Sequence, residues 1–238
     1  MVRMVNEAAY AARRNAILDA AQRAIGTKGY EQMAIANLLD ELHISSGAFY
    51  HYFDSKPALL SALIERMGDQ VEPLVLPIVQ DPTLCALDKL LRFFATLDHW
   101  KVTHKRLVLA YLRVWYADEN ALFRHKLYLA RIKRFTPWLE EIIRQGMQEA
   151  VLKTPYPDQA ARMVVSLLED IGYATAELLL AETCSPDDLH RLERIALATA
   201  DAIEHVLGTP AGCLQHAAHE GLSQWLALSS LQEEEQGP

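Results

Sequence analysis

Two tyrosines, a histidine and a lysine stand close together near the start of the sequence, at Tyr50, His51, Tyr52 and Lys56. Hydroxyl, amide and ammonium groups are hydrogen-bond donors suited to phosphate oxygens, and such contacts position a protein on a duplex without reading its sequence. Base edges require close backbone approach and short polar side chains, and Gly47 permits such an approach. The chemistry of these residue types is therefore compatible with binding to a nucleic acid.

An alternative interpretation of the same aromatic residues is structural. Tyrosines on short helices are often half-buried supports, and Tyr50 and Tyr52 could pack in this way. The two interpretations differ in whether Tyr50 and Lys56 face solvent or the interior of the protein.

Short helices are predicted to position these side chains. Ile17, Ala20, Ala21 and Ala24 recur at spacings of three and four, which indicates an amphipathic helix over residues 8–28. A second helix is predicted over 34–42 and a third over 46–53, with Ser45 as the N-cap of the third and Phe49 and Phe53 directed inward. Asp54 and Ser55 then cap a fourth helix. This order is typical of a helix-turn-helix, whose second helix enters the major groove.

The charge of the chain is unevenly distributed. The formal net charge is -8, but residues 1–56 hold six Lys or Arg and six Asp or Glu. The first segment is therefore neutral, so phosphate contacts would come from a few placed groups on two protomers.

The segment from Arg13 to Met67 resembles the TetR family of repressors. The most specific part runs Ile44-Ser45-Ser46-Gly47-Ala48-Phe49-Tyr50-His51-Tyr52-Phe53-Asp54-Ser55-Lys56, followed by Leu59 and Leu60 and preceded by Gly29-Tyr30. The resemblance implies an all-α protein, with an N-terminal three-helix helix-turn-helix domain and a larger C-terminal helical domain for ligand binding and dimerisation.

The resemblance also implies roles for individual residues. It assigns Ser46, Gly47 and His51 to the base-facing side of the recognition helix. Tyr50, Tyr52 and Lys56 would contact phosphates. The predicted DNA-binding set is Asn37, Ser45, Ser46, Gly47, Ala48, Tyr50, His51, Tyr52 and Lys56.

The sequence departs from the family pattern at three places. Met33 and Ala34 stand where Thr and Ser usually cap the second helix, so that cap is predicted to be missing. Either the start of this helix is weaker or Asn37 contributes instead. Ala36 replaces a frequent long polar residue at a potential base contact. His43 replaces a glycine in the turn, where a positive φ costs a histidine some energy.

Prolines suggest the boundary between two functional regions. Pro73, Pro77 and Pro82 predict that the helix is interrupted between Glu72 and Pro82. The predicted domains are 8–67 for DNA binding and 68–231 for ligand binding and dimerisation, with a disordered acidic tail over 232–238. Further helices are predicted over 83–103, 104–117, 120–135, 137–152, 157–183, 186–207 and, more weakly, 210–231.

The helices over 157–183 and 186–207 carry much apolar surface. Ser185 is predicted to cap the second of them, with Pro186 in its first turn. Burial within one protomer is one interpretation. A two-fold four-helix interface is favoured, because paired half-sites on DNA require a dimer. The predicted interface residues are Val164, Leu168, Ile171, Leu178, Leu192, Ile195 and Ile203.

Aromatic residues are concentrated between Phe93 and Trp138, as in cavities that bind small ligands, although such residues are more often plain core. The predicted pocket residues are Trp100, Tyr111, Trp115 and Tyr128. The same stretch is locally basic, which is usual for a solvated face but would also suit an anionic ligand or a position near the DNA backbone. The effector is therefore expected to be aromatic and hydrophobic, or anionic.

Other functional classes have weaker support. The sequence holds no glycine-rich phosphate loop, Gly-x-Ser-x-Gly elbow or His-Glu-x-x-His site, so no catalytic residue or cofactor is predicted. His216 and His219 lack a third ligand in view, and no metal site is predicted. Cys85, Cys184 and Cys213 are interpreted as reduced packing residues. Without a long apolar run or a leader-like start, the expected location is cytoplasmic, with no membrane partner. A helical protein-interaction module without DNA binding remains the alternative function.

Overall fold

The computed structural model describes residues 2–28, 30, 32–116, 121–179 and 185–234. Helices dominate these ranges, and no strand occurs within them. The helices are α1 (Val2–Lys28), α2 (Ile35–Leu42), α3 (Ser46–Tyr50), α4 (Lys56–Gln80), α5 (Ala86–Thr103), α6 (Lys105–Tyr116), α7 (Ala121–Gln148), α8 (Pro157–Leu179), α9 (Pro186–Leu207) and α10 (Gln215–Glu234). The all-α class expected from the sequence is confirmed.

The predicted interruption before Pro82 is wrong. Helix α4 continues through Pro73 and Pro77 to Gln80. Both prolines are exposed and lie four residues apart, so they occupy one solvent-facing side of the helix. Each proline removes one hydrogen-bond donor, but the carbonyls left without that donor can bond to water on this side. Residues such as Val75 and Val79 keep the opposite side buried.

Two further boundaries also differ from the predictions. The two helices predicted over 120–135 and 137–152 form the single helix α7, with Pro137 inside it and exposed. At the end of the chain, α10 extends to Glu234, so residues 232–234 of the predicted disordered tail are helical.

The chain divides into two compact units. The first comprises Met1–Gln70 together with His104–Val114, and the second comprises Val71–Thr103 together with Trp115–Pro238. Most of α6 therefore groups with the N-terminal helices, which the sequence did not indicate. In the first unit the core includes Ile17, Leu18, Leu38, Phe49 and Leu60.

The core of the second unit is built from α5, α7, α8 and α9 with the end of α4. Phe93, Leu139, Ile142, Val164 and Leu207 are among its buried members. The predicted cap of α9 is confirmed: the Ser185 hydroxyl accepts a hydrogen bond from the Asp188 amide, and the Asp188 carboxylate accepts one from the Ser185 amide.

The connection between α9 and α10 depends on a buried carboxylate. Glu204 is 2% exposed and accepts hydrogen bonds from the amides of Gly212 and Leu214, each at 2.7 Å. Gly208 ends α9 with a φ of 63°, a left-handed conformation that favours glycine. Lys153 lies so close to Gly208 that an added Cβ would come within 2.5 Å of its carbonyl oxygen.

The three cysteines do not share one environment. Cys85 is exposed, which corrects its interpretation as a packing residue, and Cys213 is partly buried against the core. Cys184 lies outside the described residues. Within the described ranges, none of the helices combines the length and apolar character needed to cross a membrane.

Candidate nucleic-acid interface

Helix α3 is short and is fixed at both ends by local hydrogen bonds. The Ser45 side-chain oxygen accepts a hydrogen bond from the Ala48 amide at 3.2 Å, which confirms the predicted N-cap. After Tyr50 the chain turns, and the His51 amide still bonds to the Gly47 carbonyl at 3.2 Å. The predicted helix over 46–53 is therefore three residues shorter in the structure, with His51 and Tyr52 in the following turn.

The inner side of this segment is anchored in the core of the first unit. Phe49 is fully buried and Phe53 is nearly so, as predicted, and their rings lie 5.9 Å apart. The Arg14 guanidinium lies 5.3 Å from the centre of the Phe53 ring, which connects the segment to α1. With these two aromatic side chains fixed inside, Ser46 and Tyr50 of α3 are turned toward solvent.

The turn between α2 and α3 has the strained geometry that the sequence suggested. His43 adopts a left-handed conformation with φ 49° and ψ 49°, and its amide bonds to the Asp40 and Leu39 carbonyls. Ala34 precedes α2 with an extended backbone but provides no side-chain cap, so the predicted missing cap is also confirmed. Asn37 is exposed in the first turn of α2.

The outer side of α3 is open. Tyr50 is 50% exposed, and Ser46, Gly47 and His51 are also exposed. A Cβ added at Gly47 would have only the Ser45 hydroxyl oxygen near it, at 4.0 Å. The internal packing of the protein therefore does not require glycine here. The open space leaves room for another molecule to approach the backbone.

Tyr52 and Lys56 are less exposed than Tyr50. Tyr52 is partly buried, and its ring centre lies 4.7 Å from that of Tyr10 on α1. The Lys56 ammonium lies 4.3 Å from the centre of the Tyr30 ring, a cation–π contact at the first residue of α4. The Ser55 hydroxyl caps this helix by accepting from the Ala58 amide at 3.1 Å. Of the remaining predicted residues, Ala48 is partly buried.

Tyr10 is a site residue that the sequence prediction missed. Its ring contacts both His51, with centres 5.7 Å apart, and Tyr52. The available signal was its helical spacing, because Tyr10 precedes Arg14 by four residues and Ile17 by seven on the inward side of α1.

Polar bridges hold the surrounding helices together. Arg66 on α4 donates to the Asp19 carboxylate at 2.6 Å and also to the Gln22 side chain, both on α1. Arg23 on α1 pairs with Glu41 on α2 at 2.7 Å. These bridges fix α2 and α4 against the helix that also contacts the α3 segment.

The predicted pocket residues lie in different environments. Trp100 is partly buried against the core of the second unit. Tyr128 on α7 shares a hydrogen bond of 2.9 Å with Ser166 on α8. Next to it, Arg131 pairs at 2.5 Å with Glu169, which is almost buried. The side chains of Tyr111 and Trp115 lie outside the part of the chain that the structure describes.

The predicted interface residues on α8 and α9 also differ in burial. Val164, Leu192 and Ile203 are buried within the single chain, so these three side chains offer no surface to a partner. This corrects their assignment, because they belong to the interior of the protomer. Leu168, Ile171 and Ile195 are partly exposed, and the Leu178 side chain is not described. Met163 on α8, which is outside the predicted set, is 53% exposed.

The histidines of α10 have ordinary surface positions. His216 and His219 are exposed, and the His219 ring lies 3.1 Å from the Glu193 carboxylate of α9. Among the described residues, no group of three His, Cys, Asp or Glu side chains is arranged to hold a metal ion.

Two family models match this chain. The model for bacterial regulatory proteins of the tetR family matches residues 17–63, and the model for a tetracyclin repressor-like C-terminal domain matches residues 102–179. An HTH-type transcriptional repressor of Mycobacterium tuberculosis is 41% identical over 68 residues. That match covers 27% of this chain and 36% of the repressor, little more than a third of its length.

Solved structures resemble the whole fold. A TetR-family transcriptional regulator from Pectobacterium atrosepticum is 18% identical with a TM-score of 0.56, covering 85% of this chain and 98% of that one. A transcriptional regulator from Cytophaga hutchinsonii is 16% identical with a TM-score of 0.56, covering 87% of this chain and 95% of that one. At such identities the likeness establishes the fold alone.

Proposed function

Because this chain belongs to the TetR family of bacterial regulatory proteins, we propose that it is a transcriptional regulator that binds a palindromic operator as a homodimer and is released by a small molecule. The exposed side of α3 is the observation that carries the proposal. Gly47 has open space beside it and Tyr50 is half exposed, so a short helix with polar outer residues is available to enter a major groove.

In this proposal the DNA contacts divide into two groups. Ser46, Gly47 and His51 face the base edges, where short side chains and bare backbone allow close approach. Tyr50, Tyr52 and Lys56 contact phosphates and set the register on the duplex. Lys56 stands at the N-terminus of α4, where the helix dipole disfavours a cation and favours an anion, so a phosphate there would be stabilised by both the helix and the ammonium group.

We further propose that the second unit binds the effector. Phe93, Phe94, Phe135 and Trp138 supply an aromatic interior, which suits an aromatic or hydrophobic ligand. Arg131 would suit an anionic one, although its pairing with Glu169 must then be exchanged for the ligand. Ligand binding would shift the dimer toward a conformation whose recognition helices no longer match adjacent major grooves. Such a regulator acts on the chromosome, so the cytoplasm is the expected location.

The test is DNA binding across a series of salt concentrations. Genomic DNA fragments are incubated with the protein, bound fragments are recovered, and their affinity is measured by mobility shift. We expect specific binding that weakens linearly in log affinity against log salt, since phosphate contacts release counterions. Failure of the wild-type protein to retain any fragment at low salt would contradict the proposal.

The substitution Lys56→Gln sharpens this test. If each Lys56 contacts a phosphate, the substitution should reduce the magnitude of the slope of log affinity against log salt concentration. The expected reduction is about one for each lysine, or about two for a dimer. The matched control is Lys153→Gln, which removes an exposed lysine of the second unit and should leave the slope unchanged. An unchanged slope in Lys56→Gln would remove this lysine from the phosphate contacts.

A further inference from the structure

Helix α1 carries an aromatic side chain that the core of the first unit does not need. Tyr10 is 40% exposed and lies before Ile17, the first fully buried residue among those of α1 from Glu7 onward. Its ring centre lies 4.7 Å from that of Tyr52, in a tilted arrangement, and 5.7 Å from that of His51, edge to face. Both distances are typical of favourable aromatic pairs.

The three rings form a continuous group at the surface, which we call the aromatic cluster. The rings of His51 and Tyr52 also contact each other, with centres 5.3 Å apart. Tyr10 belongs to a helix of 27 residues, whereas His51 and Tyr52 lie in the turn after a helix of five. The cluster therefore joins the turn after α3 to α1 through ring contacts.

We propose that Tyr10 is a positioning residue for DNA recognition, whose ring holds His51 and Tyr52 in the orientation with which they meet the duplex. The inference rests on the proposed DNA-binding function. Two side chains fixed before binding lose less conformational freedom when they contact DNA. Because Tyr10 is 40% exposed and lies outside the buried core, its removal should disturb the orientation of these side chains more than the stability of the unit.

The experiment compares Tyr10→Ala with Tyr10→Phe, which retains the ring. The probes are a duplex that wild-type protein recovers from genomic fragments and a scrambled duplex of equal length. Tyr10→Ala should weaken binding to the recovered duplex about three- to tenfold, the size expected for loss of aromatic pairing. Binding to the scrambled duplex should fall less, because only the phosphate contact of Tyr52 is weakened there, whereas the recovered duplex also loses the base contact of His51. Tyr10→Phe should restore nearly full affinity.

A measurement without DNA accompanies the binding assay. The ring protons of His51 should shift in the NMR spectrum of Tyr10→Ala and stay near their wild-type positions in Tyr10→Phe, since the neighbouring ring current is lost only in the first variant. Tyr156→Ala is the matched control, because this tyrosine is 68% exposed and lies in the second unit. It should alter neither the affinity nor the His51 signals.

The outcomes separate this inference from the proposed function. Wild-type protein that recovers no DNA overturns both. Wild-type binding that Tyr10→Ala leaves unchanged overturns only the role of Tyr10. An equal loss on both duplexes, accompanied by a lower unfolding temperature, identifies Tyr10 as a structural residue and likewise overturns it.

Discussion

Glu204 is an acidic residue with only 2% of its surface exposed. Its two carboxylate oxygens accept hydrogen bonds from the amides of Gly212 and Leu214, which hold the segment leading to α10 against the end of α9. The substitution Glu204→Gln replaces one acceptor by a donor facing an amide. We expect the free energy of unfolding to fall by roughly 1–3 kcal/mol, measured by chemical denaturation.

A nearby glutamate provides the control for this variant. Glu193 pairs with His219 between the same two helices, but both side chains are well exposed. Glu193→Gln should therefore change the free energy of unfolding by less than about 1 kcal/mol. Equal effects of the two substitutions would show that the amide bonds of Glu204 contribute little.

At the level of single residues, the sequence predicted what local rules determine. Ser45 and Ser185 are predicted as N-caps because each precedes a helix with periodic apolar residues, and a serine hydroxyl there can accept a hydrogen bond from a free amide of the first turn. Phe49 was assigned inward by periodicity. The contact of Tyr10 with the turn after α3 escaped prediction, since it joins residues some forty positions apart and depends on how two helices pack.

Among the helices, α2 has a defect that can be repaired. Ala34 has the extended backbone of an N-cap, with φ −91° and ψ 135°, but no side chain that can accept a hydrogen bond. Ala34→Ser should raise the free energy of unfolding by about 1 kcal/mol, because serine can satisfy an amide of the first turn. Thermal and chemical unfolding of the protein without DNA would measure this gain in the free energy of unfolding.

The control for this gain lies two residues further along. Ala36 is exposed inside α2, where serine is a poorer helix former than alanine. Ala36→Ser should therefore lower stability slightly, by about 0.5 kcal/mol. A gain of equal size in both variants would argue against capping as the cause.

The start of α9 predicts a dependence on pH. Hydrogen bonds from the Ser185 amide and then its hydroxyl lower the pKa of Asp188 below the usual value of 3.8. A carboxyl group with a lowered folded pKa stabilises the protein above its unfolded pKa and loses this effect as the pH falls through the folded value. Asp188→Asn should therefore destabilise the protein at neutral pH, and the difference from wild type should vanish in strong acid.

Denaturant unfolding at several pH values would measure this difference. Asp187→Asn is the matched control, because this exposed carboxylate occupies the same first turn without belonging to the capping box. Its difference from wild type should vary less with pH. If the difference in the free energy of unfolding between Asp188→Asn and wild type stays constant down to strong acid, the stabilising role of the ionised Asp188 side chain is contradicted.

The prolines within helices show a feature that the sequence pattern alone did not predict correctly. The rule that proline breaks a helix fails at Pro73, Pro77 and Pro137, because α4 and α7 continue through all three. The sequence gives the identity of a proline but not the side of the helix on which its lost hydrogen bond falls. Where that side faces solvent, as here, water can replace the missing donor while the buried side maintains the helix.

At the scale of the whole molecule, operator binding requires two copies of the recognition helix. Apolar residues recur along α8 at spacings of three and four and form a stripe on one side of the helix: Met163, Leu167, Ile171 and Ala174. Within the protomer, none of these side chains is fully buried. An apolar surface of this kind is suited to a second copy related by a two-fold axis. We therefore expect a dimer in sedimentation at micromolar concentration.

Met163→Glu tests this surface because it places a charge on a residue that is 53% exposed in the single chain, where the fold can tolerate it. If α8 packs against its copy, the two glutamates approach each other in a desolvated contact, and the variant should sediment as a monomer with a normal helical spectrum. Its affinity for a palindromic fragment should fall, since one recognition helix reaches only one half-site.

Met147→Glu, at a 39% exposed methionine of α7, is the control and should remain dimeric and bind normally. If Met163→Glu remains a dimer, this stripe is not the dimer interface. If the wild-type protein is a monomer, binding to a palindromic operator as a homodimer is contradicted.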